Sequence, residues 1–402
     1  MLWTHILFYY PDLAGKISLI TCSISILVMK SDRSLHRDLT ALTLLYSTAA
    51  TLVGSFTIYY LLSLGMPLYG APLFVGLQMS AVITACLLLG ITPLGKTGGD
   101  RLIAIAMLFV FLLYLNLGMA SLSNLQYITV MIGVCGGIAL VFYWLPFNSY
   151  LLYSTHRSNR ATITSYYSLI WPLVAIFIPL IGGWLIDRFS VWSNIAISSV
   201  LIALVAILAL HCRLPHLSPF DLRNWHALRG FRSAWRFAFF LNGVIDGTLW
   251  IATPLLGFIF ADSAMQYGIY LAAFGIAGAL ATLILSLFSD RVQKRKPYLY
   301  AGALIILPCG LLFFIQFSSG VYLLLLCLIN FGSPMIGTFL FVIMGDGSQR
   351  SIESAVISRE IYLNLGRIIA VMGTLSFILL GDIRLTLIPI TVSSLLLMTL
   401  RE

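Results

Sequence analysis

Charge is the scarcest property of this chain: of 402 residues, 9% are Asp, Glu, Lys or Arg, and only 14 are acidic. Soluble domains carry roughly a quarter charged residues. With 60% hydrophobic residues and a mean hydropathy of +1.00, a soluble globular fold is excluded. Cysteine is sparse as well. Cys22, Cys86, Cys135, Cys212, Cys309 and Cys327 lie in or beside apolar runs with no CxxC pair, which removes a zinc or disulfide framework and leaves them as small packing residues. The six histidines form no HExxH pattern, so no metal site is expected and enzyme chemistry has no support. The start of the chain lacks the charged region, short apolar core and small-residue cleavage site of a signal peptide, so it is expected to stay in the mature protein.

What the chain has in abundance is apolar runs. A hydrocarbon core of about 30 Å takes roughly 20 helical residues to cross. Twelve segments meet that length: 39–64, 71–91, 101–119, 127–153, 162–186, 192–212, 236–260, 267–288, 298–317, 320–344, 354–379 and 384–400. The expected fold is an all-α polytopic membrane protein. Before the first segment, Ile17 to Met29 is too short to span; Ser18, Thr21, Cys22 and Ser25 oppose Ile17, Ile20, Ile24 and Leu27, as in a helix lying in the membrane interface.

The net charge of +9 is a matter of topology rather than of nucleic acid, because cytoplasmic loops collect Lys and Arg. With both termini in the cytoplasm, nineteen basic residues fall inside and only Arg188 and Arg384 outside. That places a multi-pass protein in the cytoplasmic (inner) membrane, with the bilayer as a partner. The basic stretch His211 to Trp235 then separates six spans from six. The units are 1–38 (N-terminal segment), 39–212 (first bundle), 213–235 (linker) and 236–402 (second bundle). RSNRATITS at 157–165 and RSIESAVIS at 350–358 share Arg, Ser and Ser at an offset of 193 residues. Gly54 and Gly247 share that offset, and Asp187 and Asp382 nearly do. An internal six-plus-six repeat is how many secondary transporters are built.

One loop carries a family resemblance. LFSDRVQKRKPYLYAG, from Leu287 to Gly302, resembles the signature loop of the major facilitator superfamily, which lies between the second and third spans of each half. Leu287, Asp290, Arg291, Arg295 and Lys296 match; Phe288 and Gln293 depart from the pattern, and Gln293 replaces its inner glycine. The equivalent loop in the first half, TPLGKTGGDRL, aligns Thr97 with Asp290, so its aspartate is displaced or lost. IPLIGGWLIDRF is similar to the end of the superfamily's antiporter motif through Pro179, Gly182 and Gly183. The resemblance implies two pseudo-symmetric six-helix bundles, alternating access, and a central cavity lined by segments 1, 4, 7 and 10. It also implies that Asp290, with Arg291, Arg295 and Lys296, forms a gating loop braced on the positive N-terminal end of segment 5, near Thr162 and Thr164.

A second match is a decoy. Gly90 to Thr97 spells G-x-x-x-x-G-K-T, yet a phosphate loop needs a strand before it, a helix after it and free backbone donors. Here an apolar span precedes it and Pro93 removes one donor, so a cytoplasmic turn is expected and no nucleotide cofactor.

Ionisable groups in the bilayer centre cost roughly 2.5 to 3.5 kcal/mol or more, so each is a functional candidate. Four qualify: Asp246 in segment 7, and Arg359, Glu360 and Arg367 in segment 11. Asp246 stands about ten residues into its helix, near the midplane by helical rise. Gly243 and Gly247 beside it permit close helix approach or local unwinding. In SREIYLNLGR, Glu360, Asn364 and Arg367 share a face at i, i+4, i+7, with Arg359 about 100 degrees away. The run resembles one in bacterial members of the superfamily and brings no substrate with it. Asp246 and Glu360 are the coupling-proton candidates; Arg367 is expected to reach either an anionic substrate group or Asp246. A purely structural Glu360 to Arg367 network is the alternative.

Tyr59, Tyr143, Trp144, Asn148, Trp171, Asn242 and Trp250 join Arg359, Asn364 and Arg367 as candidates for lining the cavity. Such aromatics also serve as packing or interface anchors. A cavity rich in aromatics and poor in charge suits a small organic or amphipathic solute. The expected function is proton-coupled secondary transport by a monomer, with export favoured through the partial antiporter motif. The alternatives are an uptake symporter or lipid flippase, and, from another class, a transporter-like receptor or assembly factor.

Overall fold

The computed structural model describes residues 33–156, 160–212, 214, 217–220, 233–288, 296–347 and 352–400. Its first bundle comprises α1 (Arg33–Ser63), α2 (Gly70–Ile91), α3 (Gly99–Gly118), α4 (Leu125–Tyr153), α5 (Arg160–Arg188) and α6 (Val191–His211). The second comprises α7 (Ser233–Phe260), α8 (Ala264–Phe288), α9 (Lys296–Ile315), α10 (Ser319–Gly347), α11 (Ile352–Leu379) and α12 (Ile388–Met398). Among the described residues eleven helices are long and apolar enough to cross a membrane, and the run Ile383–Met398 is a shorter apolar helix. This is an all-α polytopic membrane protein.

The packing shows the repeat. In the first bundle α1 packs on α5 and α6, and α4 on α2 and α3; adding six to each label gives the contacts of the second bundle, α7 with α11 and α12, and α10 with α8 and α9. The bundles meet along two equivalent seams, α5 with α8 and α2 with α11.

Three segment boundaries differ from the sequence reading. α1 already includes residues 33–38, which extend the first span, with Leu35 and His36 buried. The expected interfacial helix at 17–29 lies outside the described residues. α9 is interrupted between Ile306 and Cys309, where Pro308 lacks an N–H and its ring crowds the preceding turn. The last span is split: Asp382 accepts a bond from Arg384 N and starts a tight turn over Ile383–Leu387, and α12 follows with Pro389 in its first turn. The Arg384 guanidinium, hydrogen-bonded to Asp382, holds that carboxyl below the usual carboxylate range.

The phosphate-loop decoy is a turn filled by the chain itself. Pro93–Lys96 is a single tight helical turn, and Phe220 N donates to Gly95 O at 3.1 Å. A Cβ on Gly95 would stand 2.6 Å from Phe220 O, so linker backbone fills the space a phosphate would need.

Candidate functional site

Three glycines bring α7 and α11 into backbone contact. A Cβ on Gly243 would run into Leu363 O, one on Gly247 would stand 2.7 Å from Arg367 Cα, and one on Gly366 would stand 2.9 Å from Phe240 C. α7 continues unbroken from Ser233 to Phe260, so the glycines serve approach and not unwinding.

This contact sets Asp246 opposite Arg367. Arg367 Nη2 donates to Asp246 Oδ2 at 3.3 Å, and Asn242 Nδ2 donates to the same oxygen at 3.4 Å. Arg367 Nη1 donates to Asn364 Oδ1 at 3.1 Å, while Asn364 Nδ2 donates to Glu360 O at 2.7 Å and is thereby fixed in orientation. The guanidinium lies 4.7 Å from the centre of the Trp250 ring, a cation–π distance. The Arg367 and Asp246 side chains keep 13% and 24% exposure, so neither is sealed off. Arg367 Nε and Asn242 Oδ1 are buried without a hydrogen-bond partner.

Glu360 is placed differently from the expected network. It pairs with its neighbour Arg359 and not with Arg367, and Arg359 lies 5.3 Å from the centre of the Phe341 ring on α10. The four intramembrane charges thus form two pairs, Asp246 with Arg367 and Glu360 with Arg359, which explains how an apolar interior tolerates them.

Not all the aromatic candidates gather here. Trp250 and Asn242 do. Tyr143 is fully buried in the first bundle, stacked on Tyr46 with ring centres 3.8 Å apart. Trp144 packs edge-on to Tyr143 and lies 5.9 Å from Trp171, and Asn148 is buried one turn beyond, so Tyr143 is packed among aromatic rings away from the Asp246–Arg367 pair. Tyr59 sits near the end of α1 remote from the basic loops, stacked on Tyr267 at 5.0 Å and edge-on to Phe258 at 5.7 Å. In the gating loop, Asp290, Arg291 and Arg295 lie outside the described residues; Lys296 opens α9.

The bundles are tied together at both ends by residues that the sequence reading did not single out for this. At the basic end, Arg160 Nη1 donates to Asp346 Oδ1 at 2.8 Å. There Tyr153 OH and Ser218 N both donate to Glu353 Oε1, at 2.9 and 2.7 Å. At the opposite end, Asp187 accepts from Ala264 N and Met265 N, at 3.2 and 2.8 Å, capping α8 across the seam. Tyr267 OH donates to Ser55 O at 3.1 Å beside it. The available signal was the position of Arg160 and Glu353 at equivalent places inside the repeated RSxxxxxxS run, and of Asp187 at the far end of α5.

The family model described as Major Facilitator Superfamily matches residues 39–371. The Bacillus subtilis (strain 168) protein YqgE is 25% identical over 263 residues, 60% of this chain and 60% of that protein. The match therefore spans less than two thirds of that relative. Among solved structures, FucP in the outward conformation is similar with a TM-score of 0.66 and 16% identity, over 90% of this chain and 96% of that one. The human organic anion transporter MFSD10 is similar with a TM-score of 0.61 and 15% identity, over 91% and 97%. At such identities the likeness establishes the fold.

Proposed function

The chain belongs to the Major Facilitator Superfamily, and from that premise we propose that it is a proton-coupled secondary active transporter for a small organic solute with an anionic group. The observation that carries this reading is the Asp246–Arg367 pair at 3.3 Å, partly exposed and flanked by Trp250 and by two orphaned polar atoms.

The chemistry is an exchange of partners. With an effective dielectric near 20, two unit charges at that distance attract by on the order of 5 kcal/mol. A proton on Asp246 removes the attraction and leaves Arg367 partly buried with no counter-ion. An anionic group on the solute then replaces the carboxylate, with the Trp250 face beneath the guanidinium. Proton and solute therefore favour each other's binding, and the linkage is reciprocal. This favours co-transport. The Pro179–Gly183 run, which inclines the sequence toward export, has a packing role: Gly182 lies against Phe56 and Asn194, and Gly183 against Ala264 and Met265. Two of the similar proteins are an organic anion transporter and a fucose:proton symporter from E. coli, which is chemistry of the same kind in those proteins.

Alternating access would use the ties at the two ends of the bundles, one set parting while the other holds. We place the basic end in the cytoplasm, following the excess of Lys and Arg there. Asp246 is the coupling group in this reading, and Glu360, held by Arg359, is the secondary one.

The test is proton movement in vesicles containing the purified protein, with a panel of small monocarboxylates as probes. Carboxylate entry should carry protons inward, and Asp246→Asn should bind carboxylate without moving protons. Full pH-dependent transport by Asp246→Asn would sink the proposal.

A further inference from the structure

The two seams between the bundles are built differently. Along α5 and α8, backbone lies on backbone: a Cβ on Gly183 would stand 2.8 Å from Met265 Cα, one on Gly275 2.8 Å from Ala175 C, and one on Gly278 3.5 Å from Pro172 Cβ. Asp187 adds two charge-assisted bonds to main-chain N–H groups on the same seam.

Near the site, the α2–α11 seam is made of side chains. A Cβ on Gly76 would meet the Val371 side chain at 3.0 Å, and Met79 Sδ lies 4.0 Å from Arg367 Nη1. Dispersion contacts are individually tiny, and a thioether on an unbranched stem adapts its rotamer readily. Side chains of this kind can shift without moving either backbone, unlike the glycine contacts of the other seam. Its flanks are apolar: Leu365, Ile369 and Met372 on one face of α11 are exposed, as are Leu73 and Leu77 on α2. Met79, fully buried, is the α2 side chain in contact with the guanidinium across this seam.

We infer that α2 and α11 separate laterally to admit the solute from the bilayer, and that the solute is an anionic amphiphile. Its head passes Met79 to reach Arg367 while its chain remains among lipid tails and the exposed leucines. Asn242 Oδ1, a buried acceptor without a partner, suits a head that also carries a hydroxyl or amide donor. The inference rests on Arg367 as the anion site and specifies the route and the substrate class.

The geometry supplies its own test. Gly76 and Val371 place their Cβ atoms 3.9 Å apart, and Gly278 and Pro172 theirs 3.5 Å apart, both within the range a disulfide accepts, about 3.5–4.5 Å. Gly76→Cys/Val371→Cys staples one seam and Gly278→Cys/Pro172→Cys the other, with oxidised wild type as the control for native cysteines. A stearate dibrominated beside its carboxylate, so that the bromines travel with the head, is dissolved in the vesicle membrane as the probe. Its arrival is read as quenching of the indole signal that Trp250→Phe removes. The α2–α11 staple should slow quenching by about tenfold and reductant should reverse it, as expected when binding needs an opening step. The α5–α8 staple should leave the rate unchanged, and Met79→Ala, which needs no staple, should raise it.

Equal slowing by both staples, or by neither, with quenching still abolished in Arg367→Gln, overturns the doorway and leaves the anion site standing. Quenching that persists in Arg367→Gln, or that is absent from every form, overturns the amphiphile. Proton flux with short water-soluble carboxylates then judges the transport reading separately.

Discussion

Arg367 and Asp246 meet at 3.3 Å across two helices whose backbones touch through Gly243, Gly247 and Gly366. The pair is therefore both a candidate coupling element and a tie between α7 and α11, and these two roles respond differently to substitution. Asp246→Asn leaves a guanidinium without its carboxylate and should lower stability by about 2–3 kcal/mol, less than the ~3–5 kcal/mol of a sealed pair because both groups keep some exposure. Asp246→Asn/Arg367→Gln should recover part of that loss while abolishing proton-linked transport. Thermal unfolding in detergent, run on both singles and the double, gives the coupling energy. A double variant as unstable as the sum of the singles would show no energetic pairing.

The glycines make a second contrast. Gly243→Ala forces a methyl into the Leu363 carbonyl and must spread α7 from α11, so it should destabilise by about 1–3 kcal/mol as overpacking does. Gly54, which the repeat pairs with Gly247, has nothing within 4 Å of an added Cβ. Gly54→Ala should be neutral or stabilising by up to about 1 kcal/mol from helix propensity. Equal melting shifts in the two variants would contradict the packing described.

That contrast marks how far the sequence could be read. Length and hydropathy sufficed for the spans, because crossing a bilayer leaves few alternatives to helices of about 20 residues. The exceptions were local, at Pro308 and at the Asp382 turn, where backbone chemistry breaks a run that composition leaves whole. The charges on α11 were legible as a face, and Arg367 reaching Asp246 was one of two expected outcomes. The pairing of Glu360 with Arg359 was not legible, since residues one apart usually point away from each other and the Phe341 ring of α10, against which Arg359 lies, is distant in sequence. The positions of Tyr59 and Tyr143 were not legible for a related reason: an aromatic in a membrane helix gives no sign of which side it faces, and here one lies at a bundle end and the other is buried among rings.

At the basic end, Asp346→Asn removes the carboxylate that Arg160 meets across the bundles at 2.8 Å, and Glu353→Gln weakens the acceptor shared by Tyr153 and Ser218. Both substitutions should favour opening at that end. A cysteine placed at Leu152, buried against Gly345, should then react faster with a water-soluble maleimide, by roughly fivefold for each kcal/mol lost. Asp290→Asn should act in the same direction if the signature loop braces this end.

The opposite end should respond with the opposite sign. Asp187 caps α8 from the other bundle through two main-chain N–H groups, and loss of such a cap costs about 1 kcal/mol. Asp187→Ala should therefore favour opening beside Tyr59 and Tyr267, raising maleimide labelling of Tyr59→Cys by about fivefold while lowering that of Leu152→Cys. Because both ties bias one equilibrium between the same two bundles, Asp187→Ala/Asp346→Asn should bring both labelling rates back toward those of the parent protein. Two ends that opened independently would instead show both rates raised in the double variant. In that case the bundles would not be rocking as rigid bodies about α5 and α8.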